Sequence, residues 1–189
     1  MERLPILSLI IYSPLIGAVI LFLWANASPC AVRWIALVAS SVSFLLSIGM
    51  LLAFDPHRSG MQFSETFEWL PELGIAYRLG VDGISAPLVG LTTLLTLIAV
   101  IASWEPIQHR VREYYITLLL LATGMLGVFV SLDLFLFYIF WEIVLIPMAL
   151  IIGVWGSANR VYAAVKFFLY TLAGSLLMLV GIVALYQEY

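Results

Sequence analysis

Six largely apolar runs leave this chain few ways to fold: Ile6–Trp24, Ile35–Phe54, Ile84–Trp104, Tyr115–Val130, Leu134–Trp155 and Val161–Tyr186. A helix needs roughly 20 such residues to cross a bilayer. In hydrocarbon the backbone must bond to itself, so these spans are helices. Several are bounded by rings that favour the headgroup level, among them Trp24, Trp34, Trp104, Tyr114, Tyr115, Trp155, Tyr186 and Tyr189. The expected fold is all-α: a polytopic membrane bundle of about six transmembrane helices, with residues 1–189 as one transmembrane domain.

Composition excludes the main alternatives. Of 189 residues, 64% are hydrophobic and 10% charged, whereas a soluble domain is about half apolar and a quarter charged. No basic patch exists for nucleic acid. One cysteine, Cys30, excludes an intrachain disulfide and, with His57 and His109 in separate loops, leaves no metal or iron–sulfur ligand set. Cys30 is expected to act as a small buried hydrophobe. Ala25-Asn26-Ala27 has the form of a signal-peptidase site. Glu2 offsets Arg3 in the n-region, however, and the apolar stretch exceeds a signal core, so the first run is expected to be a retained helix.

Five of the eight basic residues, Arg33, Arg110, Arg112, Arg160 and Lys166, follow the first, third and fifth spans. Arg3, Arg58 and Arg78 fall on the other side, the latter two in a long loop with Asp55, Glu65, Glu68, Glu72 and Asp82. The positive-inside rule then places both termini outside. That loop, residues 55–83, is the one sizeable extramembrane segment. Gln62–Trp69 partly alternates, Leu70–Gly74 reads as a turn and Ile75–Leu79 as a return strand. A small surface hairpin and an irregular loop both fit.

Within LFLFYIFWEIVLIPMALIIGVW (134–155) stands Glu142, close to the midplane. An acid there costs about 2.5–3.5 kcal/mol on insertion scales, and such residues mark ion paths, proton relays or buried structural pairs. Tyr138, Glu142, Ile146 and Ala149 share a helix face. Pro147 frees the Ile143 carbonyl one turn earlier, a place for water beside the acid. Desolvation favours the neutral form of a carboxyl and a nearby cation favours its charged form. An acid beside a movable cation is therefore a proton-loading switch. Lys166, the one lysine, is offset from Glu142 by roughly 10 Å along the membrane normal, too far for a direct ion pair. Either a water chain links the two or Lys166 snorkels to anchor its helix end. Thr171 and Ser175 form a parallel polar row suited to interhelical hydrogen bonds. Asp133 is placed to cap the fifth helix. Gly124 and Gly127, and likewise Gly174 and Gly181, are expected to let helices approach closely.

LGVDGIS (79–85), FYIFWEIVLIP (137–147) and AAVKFFLYTLAGSLLMLVGI (163–182) resemble the M subunit family of bacterial NADH:quinone oxidoreductase, the chain 4 family of respiratory complex I. The resemblance implies a proton-translocating subunit in the bacterial inner membrane, multi-pass, partnered by lipid and by the other membrane subunits of the complex. It implies no catalytic or metal residue in this chain, with NADH, FMN, iron–sulfur clusters and quinone in other subunits. Glu142 matches the family's glutamate on the fifth helix, needed for proton pumping. The family pairs it with a lysine on the seventh helix, for which this sequence has no match. Members are more than twice as long and built from two inverted five-helix repeats, so a truncated, split or partial product is expected. The alternatives are a subunit of a multisubunit sodium/proton antiporter, a membrane-bound hydrogenase subunit, or a non-functional scaffold.

Overall fold

The computed structural model describes residues 5–58, 60–70 and 74–188. Glu2, Arg3, Glu72 and Tyr189, and the turn expected around Pro71, lie outside the described residues. Among the described residues six helices are long and apolar enough to cross a membrane. They are α1 (Ile6–Leu23), α2 (Pro29–Ala53), α3 (Ser85–Ala102), α4 (Val111–Val130), α5 (Leu134–Trp155) and α6 (Arg160–Glu188), with an antiparallel hairpin, β1 (Gln62–Leu70) and β2 (Ile75–Val81), between α2 and α3. The chain is thus a membrane helix bundle with a small hairpin. The bounds of α5 coincide with its apolar run.

Two helices begin earlier than hydropathy suggests. The Ser28 side chain accepts from the Ala31 amide and Pro29 opens α2, a proline position that loses no helical hydrogen bond. Helix α4 starts at Val111, before the charged Arg112 and Glu113, because a helix need not stop where the apolar band stops. This early start of α2 corrects the expectation for Cys30. It lies in the first turn, at the helix end, and is exposed.

Helix α4 is the centre of the bundle. It touches α1, α2, α3 and α5, whereas α6 packs on α5. Gly127 admits the Phe140 ring of α5, which a Cβ would overlap, and a Cβ on Gly124 would stand 2.7 Å from Val144 Cγ2. These two glycines bring α4 and α5 together, as expected. Gly174 and Gly181 do not act in this way: a Cβ placed on either meets no atom of another helix within 4 Å. They face outward on α6, whose buried residues are Ala164 and Ser175.

Hydroxyl groups settle the backbone where α1 is interrupted. Pro14 cannot donate to the Ile10 carbonyl, and Ser43 of α2 does so instead at 2.8 Å. Ser47 of α2 and Thr93 of α3 share a hydrogen bond of 2.7 Å, so the threonines of α3 serve packing.

The hairpin is fastened at three points. Glu65 accepts from the amides of Leu7 at 2.8 Å and Ser8 at 3.2 Å and from the Ser8 hydroxyl, so a carboxylate from β1 caps α1. The Ser8 hydroxyl also meets the Tyr77 phenol at 2.9 Å. Burial pushes the Tyr77 phenol above its ordinary range. Asp133 accepts from Phe135 and Leu136 amides, capping α5, and reaches the Ala76 amide of β2. Leu132 donates to the Arg78 carbonyl. Lastly, Asp82 Oδ1 accepts from the Ser85 and Ile84 amides while the Ser85 hydroxyl accepts from the Asp82 amide. This reciprocal box starts α3. The first of these bonds, from Ser85, does most to hold the Asp82 carboxyl below the usual range.

Candidate ion-translocation site

Glu142 lies about 12 Å along α5 from the hairpin end, at 1.5 Å per residue. It is half-buried, and its Oε1 is enclosed with no hydrogen-bond partner among the described residues. Burying a charged oxygen without donors costs far more than burying a neutral one. Tyr138 stands one turn before Glu142 on the same face. Gly153, three turns further on that face, would bring a Cβ to 3.3 Å from Ala164 of α6, so the acid lies on the side of α5 that meets α6. Ser175 of α6 donates to the Leu172 carbonyl at 2.9 Å. Pro147 is buried inside α5, and the carbonyl that it frees, on Ile143, is one residue from Glu142. Tyr138 and Glu142 share one face of α5, whereas Pro147 stands with Phe140 and Ile143 on the side that meets α4, so the freed carbonyl is not brought beside the acid.

Lys166 is not brought to this group. Nine residues separate it from Ser175, which at 3.6 residues per turn puts the two on opposite faces of α6. Ser175 is buried against α5 and Lys166 is exposed. Its Nζ lies over the Tyr162 ring, 5.7 Å from the centroid and one turn nearer the start of the helix. Leaning towards the near interface is what a snorkelling lysine does. Among the described residues no group of three or more His, Cys, Asp or Glu is gathered as a metal ion would require. The Glu65–Ser8–Tyr77 clasp, which sequence reasoning missed, has no short-range signal, since its partners lie 57 and 69 residues apart.

Fold and site together define a multi-pass membrane protein with a titratable group in mid-span. Comparison with known proteins gives the family. The profile described as NADH-ubiquinone oxidoreductase chain 4, amino terminus, matches residues 9–130, and NADH:quinone oxidoreductase/Mrp antiporter, TM, matches 131–189. The chain belongs to the NADH-quinone oxidoreductase subunit M, or chain 4, family. It is 50% identical to subunit M of Rhodobacter capsulatus over 186 residues, which cover 96% of this chain and 36% of that protein. Subunit M of Rickettsia conorii is 40% identical over 193 residues, covering all of this chain and 39% of that one. Respiratory complex I from Thermus thermophilus with bound NADH contains a chain that superposes with a TM-score of 0.78 at 27% identity, covering 94% of this chain and 35% of that one. The chain thus spans between a third and two fifths of the length of these relatives.

Proposed function

We propose that this chain supplies part of the proton-translocating membrane subunit of an NADH:quinone oxidoreductase in the bacterial inner membrane. Residues 1–189 act as one transmembrane domain, an incomplete antiporter-like module, beside other membrane subunits of the complex and the lipid. The chain is a subunit of an oxidoreductase and carries no redox step. NADH, FMN, iron–sulfur clusters and quinone are held by other subunits. The observation that carries this reading is the enclosed, unpartnered Oε1 of Glu142 in mid-span. Such an oxygen is open to a cation or ordered water that comes within reach, and an ionisable group at this depth is characteristic of ion and proton paths.

Lys166 takes second place. On the outer face of α6 it serves a proton path only through water reaching that face. The test is made in the intact enzyme reconstituted into vesicles. Glu142→Gln keeps shape and cannot ionise, and NADH-driven acidification should fall strongly. Acidification at the native rate with glutamine at 142 removes this residue from the path.

A further inference from the structure

The side of the bundle opposite the hairpin has a feature that the proposed proton path does not use. Where the α1–α2 and α3–α4 connections meet, a depression of about 340 Å³ is lined by Val32, Gln108, Arg110, Arg112 and Glu113, among others. Arg110 is exposed and stands at the start of α4 in left-handed conformation, φ 51°, and no side chain caps that helix. Arg112 has its Nη1 enclosed without a hydrogen-bond partner among the described residues. Arg33, next to Val32 on α2, gives one nitrogen to the Ile107 carbonyl at 3.0 Å and to Gln108 Oε1 at 3.5 Å. Its Nε, too, is enclosed and unpartnered.

A guanidinium carries five donors and no acceptor, and enclosing part of one without an acceptor is costly. At this corner neutral carbonyls satisfy part of Arg33, and a ligand from outside can meet only the accessible donors, those of the exposed Arg110 and the outer nitrogens of Arg112. With Arg33 beside them, the two arginines of the lining outweigh Glu113, and the complement of such a corner is anionic acceptor oxygen. Its depth in the membrane narrows the source. Trp34 and Trp104 meet edge to face at 5.7 Å beside it, and Arg33 lies over the Trp104 ring. Rings of this kind sit at the headgroup level, and basic pockets between helices at that level suit lipid headgroups. The opening amides of α4 add the positive end of a helix dipole.

We propose that this corner binds the phosphate group of an anionic membrane lipid, with Arg110 and Arg112 donating to its oxygens. Glu113, exposed at the rim, is the opposing charge that a bound anion must pass.

The experiment uses the full chain in detergent, offered phosphatidylglycerol, phosphatidylcholine or inorganic phosphate. Native mass spectrometry counts what stays bound, and melting temperature gives a second readout. Phosphatidylglycerol should be retained and raise the melting temperature, whereas phosphatidylcholine should do neither. Replacing Arg110 and Arg112 by Gln should weaken retention about tenfold, the loss of roughly one charge-assisted hydrogen bond. Arg110→Gln alone alters an exposed side chain, so a weaker version of the same loss separates binding from misfolding. Arg58→Gln removes the same charge on the hairpin side and should change nothing. Stabilisation by inorganic phosphate as well as by lipid assigns the site to the phosphate group itself, and stabilisation by lipid alone assigns it to the lipid. Equal retention of both lipids, an equal loss with Arg58→Gln, or unchanged retention in the double variant overturns the proposal.

Discussion

Two glutamates of this chain show how one side chain serves opposite ends. Glu65 meets two backbone amides and a hydroxyl at the first turn of α1. Those amides have no partner within the helix, and a carboxylate also suits the positive end of its dipole. Glu142 has an enclosed oxygen with no donor among the described residues. The two should respond in opposite senses to the same substitution. Glu65→Gln should destabilise the fold by about 1–2 kcal/mol, the scale of a lost charged hydrogen bond at a helix start. Glu142→Gln should leave thermal stability unchanged or slightly higher, since no hydrogen bond to the enclosed oxygen is lost. Melting of both variants in detergent, followed by circular dichroism, compares them directly, and a large destabilisation by Glu142→Gln would mark that acid as structural. Lys166→Ala should lower proton pumping in the intact enzyme much less than Glu142→Gln does, because Lys166 faces away from α5. Equal losses would place both residues on one path. Glu142 stands out in the sequence because a charge inside an apolar run is costly and needs either a function or a buried partner. Glu65 does not, because in an acid-rich loop it looks like any solvated carboxylate.

At the level of elements, the sequence gives away periodicity and length but not neighbours. Apolar runs fixed the number of helices, and Asp133 was readable as a cap because it directly precedes one. The glycines show the limit. Gly124, Gly127, Gly174 and Gly181 look alike in the sequence, yet the first two meet α5 and the others meet nothing. Gly127→Ala should therefore cost about 1–3 kcal/mol, the usual penalty of overpacking, because the new methyl falls on the Phe140 ring. Gly174→Ala should be neutral or slightly stabilising, since alanine is the better helix former. Matched melting curves test the contrast, and equal effects would mean that α4 and α5 are not in this contact.

The box at the start of α3 has a pH dependence whose sign is fixed. The Asp82 carboxyl is held below its ordinary range by hydrogen bonds that exist only in the folded chain. Its contribution is present above the unfolded value, roughly pH 4, and is lost as pH falls through the lower folded value. Amide exchange at Ile84 and Ser85 should accelerate, relative to the rest of α3, on acidification below that range, and Asp82→Asn should abolish the dependence. An unchanged profile in the variant would assign the effect to another group.

For the whole molecule, cover is unevenly shared. The apolar window of α4 is 61% buried within the chain and that of α6 is 6% buried. The difference is topological, since α4 is ringed by four helices and α6 leans on one. No local feature reveals this, because both helices read as apolar spans. Local opening follows the number of packed contacts that must break, so hydrogen exchange of the full chain in detergent should rank α4 as the most protected helix and the second half of α6, from Leu176 on, as the least. Exposed side chains such as Leu177 and Val180 rest there on detergent alone, while Leu119 and Leu126 of α4 are enclosed by protein. The ranking also separates two states of the isolated chain. If α6 stands free, protection stays low at every protein concentration. If copies associate through its apolar face, protection there rises with concentration while that of α4 stays constant. Equal protection of the two helices at high dilution would contradict the arrangement of α6 described here, and with it the placement of Glu142 against an α5–α6 interface open on its far side.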